Sequence, residues 1–391
     1  MNTCPVKEYC GGCQYQGIEY TEQLKIKQKY VESLLGSFHS VEKIIGMEDP
    51  DNYRNRMQIS FAYDEHHNII SGYYIPASHT IVPINGCMLC DEGINRIFFS
   101  VKRIIAKHKV SAFDERSLKG CLRHILIRST NLNEYMVVFV TGSTYLNNKE
   151  QILKDIIRFN PEVKTVVQNI NNQRTSAVLG NRNIALYGKG YVMDELCGLR
   201  FKVSPNSFFQ VNKRQTQILY ETALKSADFK GSEVLIDAYC GTGTIGLAAS
   251  KFVKYVIGVE SNESAVKDAI NNSRINKIKN IEFVCDDAGR YMDKLYRSKK
   301  HIDAVIMDPP RGGSSVRFMS SMVKIDPDKI IYISCNPETL RNDLKYLNRY
   351  YMITKIQPVD MFPYTQHVET VVLMTKRLVK SGFKEKTILI I

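Results

Sequence analysis

After Pro205 the sequence alternates short apolar runs with helical stretches, and that alternation narrows the folds open to it more than any other feature. VLIDAYC, YVIGVE, IEFVCD, DAVIMD and IIYISC read as buried strands. QTQILYETALKSA, IGLAASKF and ESAVKDAINNSRIN read as helices among them. Strands that are apolar throughout, rather than at every second residue, must be covered on both faces. Joined by helices, they form a parallel, doubly wound α/β sheet. Ligands of such a sheet gather at the carboxyl ends of its strands.

The preceding region has a different period. Between about residues 53 and 203, MQISFAY, IISGYYI, YMVVFVTG, KTVVQNI, NIALYG and LRFKVS are short strand-like runs separated by turn residues. One helical piece, about residues 92–108, sits among them. This pattern predicts an α+β domain rich in antiparallel sheet. The expected organisation is therefore a first domain over 1–203 and a second over 204–391. An early charged segment, YTEQLKIKQKYVESLLGSF, predicts a helix that Gly36 ends.

Several strand ends carry chemistry. Gly241-Thr242-Gly243-Thr244 follows the strand VLIDAYC and opens a helix. Glycines there let a backbone approach a ligand, and the helix start offers free N–H groups. Glu260 ends the next strand and can accept hydrogen bonds from ribose hydroxyls. No lysine follows the glycines as it does in a phosphate loop, so the turn suits a nucleoside such as that of S-adenosylmethionine (SAM). Asp308-Pro309-Pro310-Arg311 ends a third strand, a rigid exit with a carboxylate and a guanidinium suited to a planar polar base. Cys335 ends a fourth, beside Asn336-Pro337, where a thiol can serve as a nucleophile at the same crevice. Near the C-terminus, His367 and Glu369 precede the apolar run VVLM, and either can be a general base.

Charge and cysteine content bear on partners. Lys and Arg number 53 against 40 acids, a net charge of +13, which favours a polyanion, most simply nucleic acid. No apolar run is long enough to span a membrane and the start lacks a signal-peptide core, which predicts a cytoplasmic protein. Cys4, Cys10 and Cys13 cluster around Gly11-Gly12, with Cys87 and Cys90 downstream. Three near thiolates and one remote thiolate can hold zinc or an iron–sulfur cluster; spacing does not separate the two.

Taken together, the residues resemble the SAM-dependent RNA 5-methyluridine methyltransferases, which modify uracil C5 in 23S ribosomal RNA or in the tRNA T-loop. The resemblance is carried by CPVKEYCGGCQYQ, YRNRMQIS, VPINGCML, LRHILIR, SPNSFFQVN, DAYCGTGTIGL, VIGVE, DPPRGG, SCNPETL and DMFPYTQHVET, and spans almost the whole chain. It implies a Rossmann-like class I methyltransferase domain preceded by an RNA-binding central domain with a [4Fe–4S] cluster, with residues of about 20–50 packed on the catalytic domain. It implies Cys335 as nucleophile and Glu369 as base. Gln210, Tyr239, Gly241, Glu260, Asp287 and Asp308 become the cofactor-pocket residues, and Cys4, Cys10, Cys13 and Cys87 the cluster ligands. The implied partner is RNA, with 23S rRNA favoured because, by the resemblance, the bacterial tRNA enzymes often lack the cluster, and the protein is expected to be a monomer. The tRNA T-loop and a non-catalytic RNA-binding role are the alternatives. Two departures stand out. The first cluster cysteine is already residue 4, which predicts that the small RNA-binding β-barrel of many relatives is absent, and Thr244 stands where some relatives have Asn.

Overall fold

A computed structural model of the chain describes residues 4–377. Two seven-stranded sheets organise it. The N-terminal stretch carries helix α1 (Lys7–Cys10) and helix α2 (Tyr20–Leu35). Strands β1 (Arg56–Tyr63), β2 (Ile69–Tyr74) and β3 (Ile81–Pro83) follow, then helix α3 (Glu92–Lys107). Strands β4 (Leu122–Ser129) and β5 (Tyr135–Thr141), helix α4 (Lys149–Phe159), and strands β6 (Val163–Ile170) and β7 (Arg182–Tyr187) complete the first sheet, ordered β3-β2-β1-β4-β5-β6-β7. This sheet is not antiparallel throughout. β5 and β6 run parallel, because α4 crosses between them. The alternating runs do not reveal α4, whose period differs from theirs.

β1 explains how the first sheet faces two ways. Met57, Ile59 and Phe61 are buried against α3 in one apolar cluster. Leu126, Met136, Val138 and Val140, from β4 and β5, are buried on the other face. There they pack against a two-stranded ribbon, β8 (Val192–Leu196) and β9 (Leu199–Val203), and against helix α5 (Lys213–Ala227) of the second half. One core thus continues from the first sheet into the second.

The second sheet is built from β10 (Val234–Ala238), helix α6 (Thr244–Ala249), β11 (Tyr255–Glu260), helix α7 (Glu263–Ile275), β12 (Ile281–Cys285), helix α8 (Ala288–Ser298), β13 (Ala304–Met307), helix α9 (Val316–Ile325), β14 (Lys329–Ser334), helix α10 (Pro337–Leu347), β15 (Tyr351–Val359) and β16 (Glu369–Lys376). Its order is β12-β11-β10-β13-β14-β16-β15. The first five strands in that order are mutually parallel. The expectation of a parallel sheet stops there: β16 runs antiparallel to both β14 and β15. A return connection this short permits a hairpin-like pair but no crossover helix. α2 lies against this second sheet, with Val31 and Leu35 fully buried in its core. Val41 and Ile45 bridge to Ile356 and Val359 at its edge. Among the described residues, no helix is long and apolar enough to cross a membrane.

Candidate active site

The carboxyl ends of β10, β11, β13 and β14 open into a cavity of 760 Å³. Gly241, Glu260, Asp308 and Cys335 all line it, each at or just beyond a strand end. Gln210, Tyr239, His367 and Glu369 line it as well. Asp287 does not: it caps α8, accepting the amide of Arg290 at 2.9 Å. The acid that follows β12 is here used by the helix it starts.

The glycine turn is shaped to take a ligand. Tyr239 has a φ of 64°, Gly241 of 55° and Gly243 of 81°, so the chain turns in the left-handed region between β10 and α6. A Cβ on Gly241 would meet no atom within 4 Å, so the backbone there is open to an approaching group. Behind the turn, buried Asp237 accepts the amide of Gly246 at 2.7 Å. Its burial pushes its carboxyl up to about 7. Glu260 Oε2 accepts the amide of Gly241 at 3.1 Å, and Oε1 accepts that of Asn262 at 2.8 Å. The carboxylate is thereby fixed at the rim, with acceptor capacity left for a diol.

Cys335 sits at a strand-to-helix junction made rigid by its neighbours. Ser334 Oγ accepts the amide of Asn336, Asn336 Oδ1 caps α10 through Glu338, and Pro337 occupies the first helical turn. Asn336 Nδ2 and Thr339 Oγ1 both donate to the carbonyl of Arg311, binding this junction to the Asp308-Pro-Pro-Arg loop. That loop is held in turn by Asp343, which accepts from Ser314 N at 2.9 Å and from Tyr332 OH at 2.7 Å. An Asn-Pro pair after a strand thus does mechanical work, fixing the thiol.

The electrostatics are those of a pocket walled by buried acids. Glu369 is 3% exposed. Burial raises its carboxyl well above the ordinary range, and the neighbouring Asp308 raises it further. Asp308 is raised too, by burial. The Cys335 thiol is pushed up to about 11, first by burial, then by Glu369 and Asp308. Among the described residues lining the cavity, Arg311 is the sole Lys or Arg, and it opposes the shift on both Cys335 and Glu369. Its guanidinium donates to His367 Nδ1 at 2.7 Å. It also lies 3.3 Å from Nε2, and since arginine only donates, the contact calls for an acceptor nitrogen on the ring, which the neutral imidazole supplies. Burial and then Arg311 hold the His367 pKa below 6.5. Glu369 is therefore enclosed in the cavity while His367 sits at its mouth. Phe208, two-thirds exposed, also stands at the mouth; its position within SFFQ marks it in the sequence, but nothing in the local pattern shows which way it turns.

A second cavity, of 280 Å³, is lined by Cys4, Cys10, Cys13 and Cys87, with Arg54 and Tyr73. Cys90 is not among its walls; it is fully buried in the core of the first sheet. The Cys13 thiol is pushed up to about 12 by burial and by the other three cysteines. Cys87 is drawn down to about 6, chiefly by a hydrogen bond from Cys90. Among the described residues, no three of His, Cys, Asp and Glu converge closely enough to hold one metal ion. All four cysteines instead line this one cavity.

Comparison with known proteins shows the family and the fold. The profile of the family described as tRNA (Uracil-5-)-methyltransferase matches residues 19–377. An uncharacterized RNA methyltransferase of Clostridium tetani is 40% identical over 378 residues, covering 95% of this chain and 82% of the relative. One from Oceanobacillus iheyensis is 40% identical over 384 residues, covering 96% and 83%. Among solved structures, the tRNA (uracil-54, C5)-methyltransferase of Pyrococcus abyssi, in complex with S-adenosyl-L-homocysteine, superposes with a TM-score of 0.78 at 28% identity, over 96% of this chain and 88% of that one.

Proposed function

The chain belongs to the tRNA (uracil-5-)-methyltransferase family and is a SAM-dependent RNA methyltransferase of class I fold, and from that premise we propose that it methylates C5 of a uridine through a covalent bond from Cys335. The observation that carries this reading is the placement of a rigidly held thiol and a buried carboxylate, Glu369, on the walls of one cavity with the glycine turn. When bound, SAM supplies an electrophilic methyl group. Gly241 and Glu260 would hold its nucleoside, with Gln210, Tyr239 and Asp308 as further contacts.

Uracil C5 is a weak nucleophile, and covalent catalysis remedies this. Once its proton has passed to solvent, the Cys335 thiolate bonds to C6, and the C5–C6 π electrons move onto C5 and O4. C5 would then bond to the methyl carbon as that carbon's bond to the sulfonium breaks, leaving S-adenosyl-L-homocysteine. Glu369 removes the C5 proton, the double bond reforms, and the sulfur leaves C6. Burial and Asp308 favour the protonated form of Glu369 and Arg311 opposes them, so the carboxylate that accepts the C5 proton is the form Arg311 favours. A base inside a stack cannot reach this cavity, so the uridine enters flipped out.

We further propose that Cys4, Cys10, Cys13 and Cys87 hold a [4Fe–4S] cluster. In such a cluster each thiolate binds its own iron, so the sulfurs surround a space. A tetrahedral zinc site instead draws all four to about 2.3 Å from one point. The cluster has no step in the methyl transfer and serves as structure. For substrate we favour 23S rRNA over tRNA, on the presence of these cysteines. The test is release of tritium from uridine-C5-tritiated transcripts by the anaerobically purified, cluster-loaded protein. SAM-dependent release from rRNA alone supports both the chemistry and the substrate. Release from tRNA alone keeps the chemistry and overturns the substrate. No release from either, with RNA still bound, favours a non-catalytic binding role.

A further inference from the structure

Residues 360–368 join β15 to β16, carry His367 and end directly before Glu369. Side chains and backbone from the first 53 residues hold this turn. Lys27 is 1% exposed, and its Nζ donates to Asp360 Oδ1 at 2.6 Å and to the Phe362 carbonyl at 3.0 Å. Tyr20 OH donates to the other oxygen of Asp360 at 2.9 Å. Tyr53 OH donates to the Pro363 carbonyl at 3.2 Å. Gln23 Oε1 accepts the Tyr364 amide at 2.8 Å, and the Tyr15 amide donates to the Tyr364 carbonyl at 2.9 Å. Gln14 Oε1 accepts the Gln366 amide at 3.3 Å.

Tyr364 is the residue most in need of such support. Its φ of 66° lies in the left-handed region, which a non-glycine residue occupies at a cost of order 1–3 kcal/mol. Both of its backbone hydrogen-bonding groups are taken by residues more than three hundred positions earlier in the chain. A buried ion pair such as Lys27–Asp360 is also a poor way to gain stability, since well-packed apolar residues commonly do as well. Its value lies in fixing one geometry. Extending the reading of Glu369 as the base, we infer that residues 14–27 together with Tyr53 are a clamp on the catalytic turn and that Lys27 is a positioning residue for Glu369 and His367. Gln14 and Tyr15 directly follow Cys13, so one stretch of backbone forms the wall of the thiol-lined cavity and grips the turn.

The test uses the intact, cluster-loaded protein and two variants. Lys27→Met combined with Asp360→Asn removes the charges together, so neither is left buried alone. Tyr53→Phe removes one hydroxyl and is expected to fold. Each is measured by hydrogen–deuterium exchange over 360–368, affinity for S-adenosyl-L-homocysteine, melting temperature and tritium release. The clamp predicts faster exchange in 360–368 and nearly unchanged cofactor affinity. It predicts a kcat lower by roughly 10- to 100-fold in the double variant, the scale of a misplaced catalytic group. Tyr53→Phe should show the same pattern at roughly two- to tenfold, the loss of one hydrogen bond. Unchanged exchange in 360–368 overturns the inference, as does a kcat that falls only in step with cofactor affinity and melting temperature. Wild-type protein that releases no tritium from any RNA overturns the functional reading instead, and exchange in the variants still decides whether the clamp exists.

Discussion

A thiol pushed up to about 11 is an unreactive thiol at neutral pH, so Cys335 depends on its surroundings at the moment of attack. Arg311 is the group that favours its ionised form, and the same guanidinium orients His367. Cys335→Ala is expected to abolish methylation while leaving S-adenosyl-L-homocysteine binding intact, as calorimetry would show. His367 makes a separate prediction. Its folded pKa is below its ordinary 6.5, so it is neutral at pH 7, and the bond from Arg311 is lost as pH falls through that lowered value. In an NMR titration its ring proton should move with a midpoint below 6.5. In Arg311→Met the midpoint should rise only part of the way back, because burial, the larger cause, remains. A midpoint at or above 6.5 in the wild type would remove His367 from the pocket wall.

At the scale of elements, the glycine turn shows why α6 begins where it does. A Cβ at Gly246 would lie 2.6 Å from Asp237 Oδ2, and that oxygen is pinned by the Gly246 amide itself. Gly246→Ala must therefore push α6 off β10, at about 1–3 kcal/mol by urea unfolding, with weaker cofactor binding in parallel. Unchanged stability would mean the turn is looser than it looks. This part of the molecule was legible in the sequence, because a strand followed by Gly-x-Gly and a helix is a local pattern. Glu260, Asp308 and Cys335 were placed at one crevice by the same strand-end logic. Antiparallel β16 was not legible, since an apolar run carries no direction. Asp287 came from the resemblance and not from strand-end position; it caps α8 and is not among the residues lining the cavity. Lys27 and Asp360 were invisible for a different reason. They meet across most of the chain, and each alone resembles a surface charge.

At the scale of the whole molecule, the two sheets share one apolar core while α2 and the cysteine segment reach the catalytic turn. The net charge of +13 supplies long-range attraction for RNA. Binding should weaken roughly 100-fold or more between about 50 and 200 mM salt, as counterion release requires for several phosphate contacts. Filter binding would show this, and a flat response would mean the charge lies away from the RNA path. The central claim, a covalent step from Cys335 completed by Glu369, is tested most directly on the complete protein with RNA and SAM. Glu369→Gln is incubated with both and resolved on a denaturing gel. The account predicts a protein–RNA adduct that carries the transferred methyl group and disappears when Cys335 is also replaced by Ala. Full turnover by Glu369→Gln, or an adduct that survives loss of Cys335, would contradict it.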